Sequence, residues 1–232
     1  MGSGLVGSSI AFLCAANALD DIVLLNRTKS KALGEALDIS NAIPKNSDIT
    51  IKGTDDYSEI RDSKIIAITA STGIYLKNRN EMIGAQVKMI KNIASEIKKI
   101  CNSSNVLIIS NPVDVLTYYF IKETNFSRNN VIGIASSLDT SRFRLQLSQN
   151  LQIKNSQISD AFVLGEHGDT LVPLFSHVKI NGKSINLGID EVVIAITDKY
   201  SIQPALFEAI MDCREMGMMV TTMNTVYERL TG

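Results

Sequence analysis

Cysteine, histidine and tryptophan are scarce in this 232-residue chain, which has three cysteines, two histidines and no tryptophan. The cysteines, Cys14, Cys101 and Cys213, are far apart and form no CxxC pair, so neither a disulfide framework nor a zinc site is predicted. Sparse thiols of this kind are typical of a reduced, cytoplasmic protein. Two histidines are also too few for the ligand set of a metal-dependent hydrolase, and no metal site is predicted.

An excess of charge of either sign is absent too. The formal net charge is −1 and the isoelectric point is about 6.1, so no basic surface for nucleic acid or anionic membrane is expected. No apolar run approaches the ~20 residues of a membrane helix, and no signal peptide is visible before the first motif. The hydrophobic fraction of 45% is ordinary for one large or two small globular domains.

Short apolar runs alternate with helical stretches over the first part of the chain. Strands are predicted at Ile22 to Leu25, Ile65 to Thr69, Val106 to Ser110 and Val131 to Ile134. Helices are predicted at Ser8 to Leu19, Glu81 to Ile100 and Val113 to Glu123. This alternation predicts an α/β fold with a parallel sheet that is covered by helices on both faces.

The pattern changes after about residue 150. Two strands, a hairpin turn and a long helix are predicted at Asp160 to Leu164, Val172 to Ile180, Asn181-Gly182 and Pro204 to Leu230. We therefore place a domain boundary near residue 135, between a domain at 1–135 and a second domain at 136–232.

A glycine loop opens the first domain. Gly2-Ser3-Gly4-Leu5-Val6-Gly7 fits the GxGxxG fingerprint of dinucleotide-binding proteins, and an apolar helix and a strand follow it directly. Gly2, Gly4 and Gly7 permit a tight turn and a close backbone approach, and the helix N-terminus offers free N–H groups to a pyrophosphate. Glycine pairs also occur in ordinary turns, but this context favours dinucleotide binding.

The strand after the glycine loop usually ends in an acidic residue, which binds the adenosine ribose. Here Asn26 stands at that position and Arg27 follows it. Asn26 does not repel a 2′-phosphate and Arg27 can pair with one. The sequence therefore predicts NAD or NADP as coenzyme, with relaxed or NADP-leaning choice; the alternative is a solvated turn.

A second motif group carries acid–base chemistry. Asp139 and Arg142 are three residues apart, so on a helix they share one face. A buried acid beside His167 would orient its ring and favour the protonated form, which exchanges a proton with a ketone or hydroxyl oxygen. The planar fork of Arg142 suits a carboxylate. By contrast, His177 is expected to be structural or merely exposed, and Arg144 is expected to point elsewhere and to be solvated.

Asn111 ends a predicted strand, where open parallel sheets bind their ligands. Its amide can bond a substrate or a nicotinamide; the alternative is a turn asparagine before Pro112. A phosphate-binding loop, a histidine acid–base and an arginine clamp together predict hydride transfer between a nicotinamide coenzyme and a small 2-hydroxy acid.

On these residues the chain resembles the lactate/malate dehydrogenase family from Gly2 to about Gly232. The most specific segments are Ser110 to Asp114, Leu138 to Arg144 and Gly165 to Asp169. The resemblance implies a doubly wound (Rossmann) domain followed by an α+β substrate domain. It also implies a homo-oligomer, dimeric or tetrameric, whose substrate is a small keto acid and which needs neither nucleic acid nor membrane.

The resemblance implies roles for five residues. His167 matches the family's proton donor, Asp139 its partner and Arg142 the carboxylate clamp. Asn111 matches the active-site asparagine, and Arg79 matches the arginine of a mobile loop that polarises the substrate carbonyl.

Three departures from the family's pattern limit what it implies. The loop reads Thr72-Gly73-Ile74-Tyr75, with neither the Pro-Arg pair of malate enzymes nor the glutamine of lactate enzymes. Malate/oxaloacetate is preferred by analogy, with lactate/pyruvate as the alternative. The coenzyme acid is replaced by Asn26. The family's first strand and about its last quarter have no counterpart here, so we expect a partial sequence. A non-catalytic nucleotide-binding remnant is the rival hypothesis.

Overall fold

A computed structural model describes residues 1–72, 79–101, 103–165 and 171–184, and for residues 79–81 it describes the backbone alone. The chain divides into two compact units, Met1–Ile134 and a second unit that begins at Ala135. The two units are described separately below.

The first unit is an α/β layer structure. Its helices and strands are α1 (Leu5–Ala16), β1 (Ile22–Leu25), α2 (Lys29–Ser40), β2 (Ile51–Thr54), β3 (Ile65–Ile68), α3 (Arg79–Ile100), β4 (Asn105–Ile108), α4 (Val113–Thr124) and β5 (Val131–Gly133). Strand β1 pairs with β2, and β4 pairs with both β3 and β5, always in parallel. This is the doubly wound parallel architecture that the sequence predicted.

Met1 and Gly2 connect the two parts of the sheet. The Gly2 N–H donates to the Leu25 carbonyl at the end of β1, over 2.8 Å. On the other side, the Thr69 N–H after β3 donates to the Met1 carbonyl, also over 2.8 Å. The glycine loop therefore leaves the sheet between the carboxyl ends of β1 and β3, the edge where parallel sheets bind ligands.

Small residues let the helices approach this sheet closely. Ala11 and Ala15 of α1 and Ala36 of α2 form one buried cluster with Leu24 of β1. At Gly53 in β2 the approach is closer still, because a Cβ atom there would overlap the backbone carbonyl of Ala32 in α2. Only glycine fits that position.

Some boundaries in the first unit differ from the predicted ones. Helix α1 begins at Leu5 rather than Ser8, because the glycine loop passes directly into it. The strands predicted to end at Thr69 and Ser110 end at Ile68 and Ile108. The sequence analysis did not predict α2 or β2.

The second unit contains one long helix and short antiparallel strands in its described part. These are α5 (Ser137–Asn150), β6 (Ile158–Ser159), β7 (Val163–Leu164), β8 (Val172–Pro173), β9 (Lys179–Ile180) and β10 (Lys183–Ser184). Strand β9 pairs with β6 and β10, and β7 pairs with β8. Phe143 and Leu147 of α5 pack into a core with Phe175 and Val178.

The two predicted strands of this unit are shorter than expected. The strand predicted from Asp160 to Leu164 covers only Val163–Leu164, since Asp160, with a φ of 56°, has a left-handed conformation that a strand does not adopt. A short 3₁₀ helix at Phe175–His177 divides the run predicted from Val172 to Ile180. The predicted turn is confirmed: Asn181 and Gly182 have φ angles of 51° and 75°, as a type I′ hairpin requires.

The helix predicted from Pro204 to Leu230 lies outside the described residues. Among the helices that the structure does describe, none combines the length and the apolar character needed to cross a bilayer.

Candidate active site

The three glycines of the loop occupy three different environments. Gly2 has a φ of 94°, and a Cβ atom there would lie 2.8 Å from the Ala70 Cα. A Cβ atom at Gly7 would collide with the Gly2 carbonyl and lie 2.7 Å from the Thr69 Oγ1. At Gly4, nothing lies within 4 Å of the Cβ position. The outer glycines thus permit the fold of the loop, and Gly4 leaves its face open.

The N-terminus of α1 follows this open face. Gly4 caps the helix without a side-chain hydrogen bond, and the first turn contains no acidic residue. The first N–H bonded within the helix is that of Ser8, which donates to the Gly4 carbonyl over 2.9 Å. An uncapped helix start presents N–H groups and the positive end of the helix dipole to an anion. The loop therefore fits a pyrophosphate group.

Side chains from both neighbouring strand ends hold the loop. The Asn26 Nδ2 donates to the Ser3 Oγ over 2.8 Å, and Ser3 is fully buried. The Thr28 N–H donates to the Asn26 Oδ1 over 3.0 Å. From the other side, the Thr69 Oγ1 donates to the Gly2 carbonyl over 2.7 Å. Sequence reasoning missed the contacts to Ser3 and Gly2, since they join residues far apart in the chain.

Charged side chains surround the carboxyl ends of β1 and β2. Arg27 is exposed just after β1. The Lys29 Nζ lies 3.8 Å from the Asp55 Oδ1. Asp56, beside Asp55, accepts the Ser58 N–H over 2.8 Å, and this hydrogen bond lowers the pKa of Asp56. The edge thus offers two cations next to β1, with the carboxylates following β2.

Ser110 joins the carboxyl ends of β3 and β4. Its Oγ donates to the Ala70 carbonyl over 2.6 Å and lies 3.2 Å from the Ile68 carbonyl oxygen. Asn111 follows, exposed, with a cis peptide bond to Pro112. Asn111 therefore follows the carboxyl end of β4, which lies at Ile108, on the edge where parallel sheets bind ligands.

In the second unit, Asp139 and Arg142 form an ion pair on α5. The Arg142 Nη1 lies 2.9 Å from the Asp139 Oδ1, which confirms that the two residues share one helix face. The Asp139 side chain is 8% exposed and that of Arg142 is 41% exposed. The Arg142 guanidinium thus binds the buried Asp139 carboxylate, and part of the guanidinium stays accessible to a second anion.

Arg144 and His177 were both predicted to lie outside the site. Arg144 was expected to be solvated, and this is wrong: the residue is half-buried, and its Nε is buried without a hydrogen-bond partner in the described part of the chain. His177 is half-buried, and its Nδ1 lies 3.2 Å from the Ser176 Oγ, a local contact.

Two predicted site residues lie beyond this description. His167 is outside the described residues, and of Arg79 only the backbone, the first residue of α3, is described. Within the described ranges, no group of three or more histidine, cysteine, aspartate and glutamate side chains is placed to hold a metal ion.

The comparison with protein families covers both units. Residues 1–133 match the NAD binding domain of lactate/malate dehydrogenases, and residues 136–201 match the alpha/beta C-terminal domain of the same family. The chain belongs to the lactate/malate dehydrogenase family. Members are oxidoreductases, and the first unit corresponds to the domain that binds their nicotinamide coenzyme.

A malate dehydrogenase is among the proteins of similar sequence. A malate dehydrogenase from Pelagibacter ubique (strain HTCC1062) is 37% identical over 190 residues, which are 80% of this chain and 58% of that protein. The chain therefore spans less than two thirds of this relative's length.

Solved structures of both malate and lactate dehydrogenases are similar to this chain. Malate dehydrogenase from Aeropyrum pernix has a TM-score of 0.77 and 30% identity, over 86% of this chain and 65% of that one. Lactate dehydrogenase from Cryptosporidium parvum, complexed with lactic acid and β-nicotinamide adenine dinucleotide, has a TM-score of 0.74 and 32% identity, over 90% and 64%.

Proposed function

We propose that this protein transfers a hydride between a nicotinamide coenzyme and a small 2-hydroxy acid, with malate and oxaloacetate as the substrate pair. The observation that carries this proposal is the glycine loop: its outer glycines admit no side chain, and Gly4 faces open space before an uncapped helix. Such a loop suits a dinucleotide phosphate, and family membership supplies the reaction class.

A bound nicotinamide coenzyme would supply the hydride chemistry. The protein's part is to hold and orient the coenzyme. Gly2, Gly4 and Gly7 and the first turn of α1 hold the pyrophosphate. Asn111, at the carboxyl edge of the sheet, offers its amide to the nicotinamide or to the substrate.

Arg142 binds the substrate carboxylate through the part of its fork that Asp139 leaves accessible. His167 exchanges a proton with the substrate oxygen, with Asp139 as its partner, and Arg79 polarises the carbonyl. General acid–base catalysis by a positioned side chain typically increases a reaction rate by a factor of about 10²–10⁴.

We propose the substrate from the relatives and the coenzyme from the residues that follow β1. Malate is favoured because the Pelagibacter ubique relative is a malate dehydrogenase. Lactate is the alternative, because the Cryptosporidium parvum enzyme, of similar likeness, is a lactate dehydrogenase. We propose that NADP(H) is used at least comparably to NAD(H), since residue 26 carries no negative charge and Arg27 is exposed beside it.

We also propose that the protein is a cytoplasmic homo-oligomer. Leu33 and Leu37 support association, because they lie one turn apart on α2 and are 49% and 74% exposed. Cys14 and Cys101 are free thiols, as in a reduced compartment.

The deciding experiment compares oxaloacetate with pyruvate, each with NADH and NADPH, by coenzyme absorbance. We expect oxaloacetate to be reduced faster. A clear preference for pyruvate would identify a lactate dehydrogenase, and coenzyme binding without turnover of either acid would support the non-catalytic remnant.

The matched variant is His167→Asn. Because this change removes the proton donor and leaves the glycine loop untouched, we expect turnover to be lost while NADH affinity in a fluorescence titration stays within twofold. Near-normal turnover in the variant would refute the role of His167.

A further inference from the structure

We propose that Asn26 is a positioning residue, which fixes the glycine loop for the coenzyme by holding Ser3 rather than by binding the ribose itself. This inference rests on the proposed coenzyme binding and assigns Asn26 and Ser3 a joint role in it. It starts from the two hydrogen bonds of the Asn26 amide.

Ser3 is the residue through which the loop can be held. It lies between Gly2 and Gly4, and it is fully buried. A buried hydroxyl needs a hydrogen-bond partner, and Asn26 supplies one over 2.8 Å. Gly4 has no side chain to anchor it and no neighbour within 4 Å of its Cβ position. The Gly4 carbonyl accepts the Ser8 N–H of α1, and on its other side the Gly4 backbone is positioned through Ser3.

The orientation of the Asn26 amide is determined by its two partners. The Oδ1 accepts the Thr28 N–H over 3.0 Å, so the Nδ2 points to Ser3. A flipped amide would place its NH₂ group against the Thr28 N–H, donor against donor. Both ends of the side chain are thus engaged in local contacts.

The loop is held from two sides. Thr69, after β3, donates its hydroxyl to the Gly2 carbonyl over 2.7 Å. Asn26, after β1, holds Ser3 over 2.8 Å. Consecutive residues of the loop are therefore attached to two different strand ends, and removing the Asn26 bond leaves the attachment at Gly2 in place.

Asn26→Asp distinguishes the effect of the two hydrogen bonds from the effect of the charge at residue 26. The Ser3 hydroxyl is able to donate to a carboxylate, and the Thr28 N–H would donate as before. Asn26→Asp would thus keep both contacts while adding a negative charge close to any 2′-phosphate. Asn26→Ala removes both contacts and adds no charge.

The experiment measures NADH and NADPH affinities of Ser3→Ala, Asn26→Ala, the double variant and Asn26→Asp by direct titration. We expect each alanine variant to bind both coenzymes about fivefold more weakly, because both variants lose the hydrogen bond between Asn26 and Ser3. The double variant should be no weaker than Asn26→Ala, because the two residues act as one unit. Asn26→Asp should bind NADH within twofold of wild type and NADPH at least tenfold more weakly.

Amide hydrogen exchange at residues 4–7 gives a second readout that needs no ligand. Exchange should become faster in the alanine variants and stay unchanged in Asn26→Asp. If Asn26→Ala does not fold, Ser3→Ala and Asn26→Asp still provide this comparison. Ser40→Ala is the matched control, because its hydroxyl donates within α2 to the Ala36 carbonyl. It should alter neither readout.

Unchanged affinity and unchanged loop exchange in both alanine variants would overturn the proposal. Additive losses in the double variant would overturn it as well, since Asn26 would then contact the coenzyme independently of Ser3. If wild type binds neither coenzyme, the proposed function fails, while the exchange data still decide whether Asn26 holds the loop.

Discussion

At the scale of single residues, the site consists of paired side chains. Some of these pairs can be predicted from the sequence and others cannot. Asp139 and Arg142 are three apart, so helix geometry alone predicts their contact, and the observed ion pair agrees. Asn26 and Ser3 are 23 residues apart, and their contact depends on a sheet edge that no spacing reveals. Helix-local pairs are thus predictable, and pairs made across a sheet edge are not.

Arg142→Lys tests the clamp. Lysine keeps the charge but lacks the planar fork that binds Asp139 and that is proposed to bind the substrate carboxylate as well. We expect the KM for the keto acid to rise about tenfold or more, with a much smaller change in kcat. Steady-state kinetics measures both, and NADH titration serves as the control, which should not change. An unaltered KM would argue against the clamp.

Asp21 gives a prediction about pH. Its carboxylate accepts the Thr50 N–H over 2.7 Å and the Thr50 hydroxyl over 3.0 Å, and these bonds lower the pKa of Asp21 below its ordinary value of 3.8. A lowered native pKa contributes stability above the unfolded-state pKa and loses it as the pH falls through the native pKa. Asp21→Asn should therefore be less stable than wild type near neutral pH.

The difference between Asp21→Asn and wild type should shrink as the pH falls from about 5 through the native pKa. Denaturant unfolding at a series of pH values measures this convergence. Asp38→Asn, at an exposed position of α2, is the comparison variant. Parallel curves for Asp21→Asn and wild type would show that the carboxylate charge contributes nothing.

Secondary-structure elements were predictable where the chain carries dense apolar runs. Strand β1 and helix α4 lie where the sequence placed them, to within one residue. Strand β2 was missed because its four residues include Lys52 and Gly53, and it exists through pairing with β1. In the second unit, β7 begins at Val163 rather than at Asp160 as predicted, because the positive φ of Asp160 is not a strand conformation.

Helix α2 contains a glycine that its structure does not need. Gly34 is exposed, and a Cβ atom there would meet nothing within 4 Å. Glycine inside a helix costs about 0.5–1 kcal/mol relative to alanine. Gly34→Ala should therefore raise the free energy of unfolding by about that amount. Denaturant unfolding measures it; Gly84→Ala, an equally open position in α3, should behave alike. A loss of stability in both variants would contradict this account.

At the scale of the whole molecule, the chain consists of two units with separate cores. The motifs identified the family because each is short and local: the glycine loop in the first unit, and Asp139 with Arg142 in the second. The position of His167 relative to Asp139 was not derivable, since sequence spacing does not fix a distance between a helix and a distant segment.

Leu147→Ala tests whether the units act separately. Leu147 is fully buried in the core of the second unit, on the helix that carries Asp139 and Arg142. The substitution should cost about 2–5 kcal/mol of that unit's stability. We expect turnover to fall while NADH affinity stays near wild type below the melting temperature. Leu24→Ala, in the first unit's core, should instead weaken NADH binding. Equal loss of NADH binding in both variants would indicate one cooperative unit.

The close approach of α2 to Gly53 has a consequence for how this sequence tolerates change. In a library selected for folding alone, residue 53 should be as invariant as residue 7, because both positions exclude a Cβ atom. Residue 4 should vary freely in that library, since its Cβ position is open, and become restricted only when selection demands coenzyme binding. Comparing the two selections would sort glycines kept for architecture from a glycine kept for a ligand, without any ligand-bound structure.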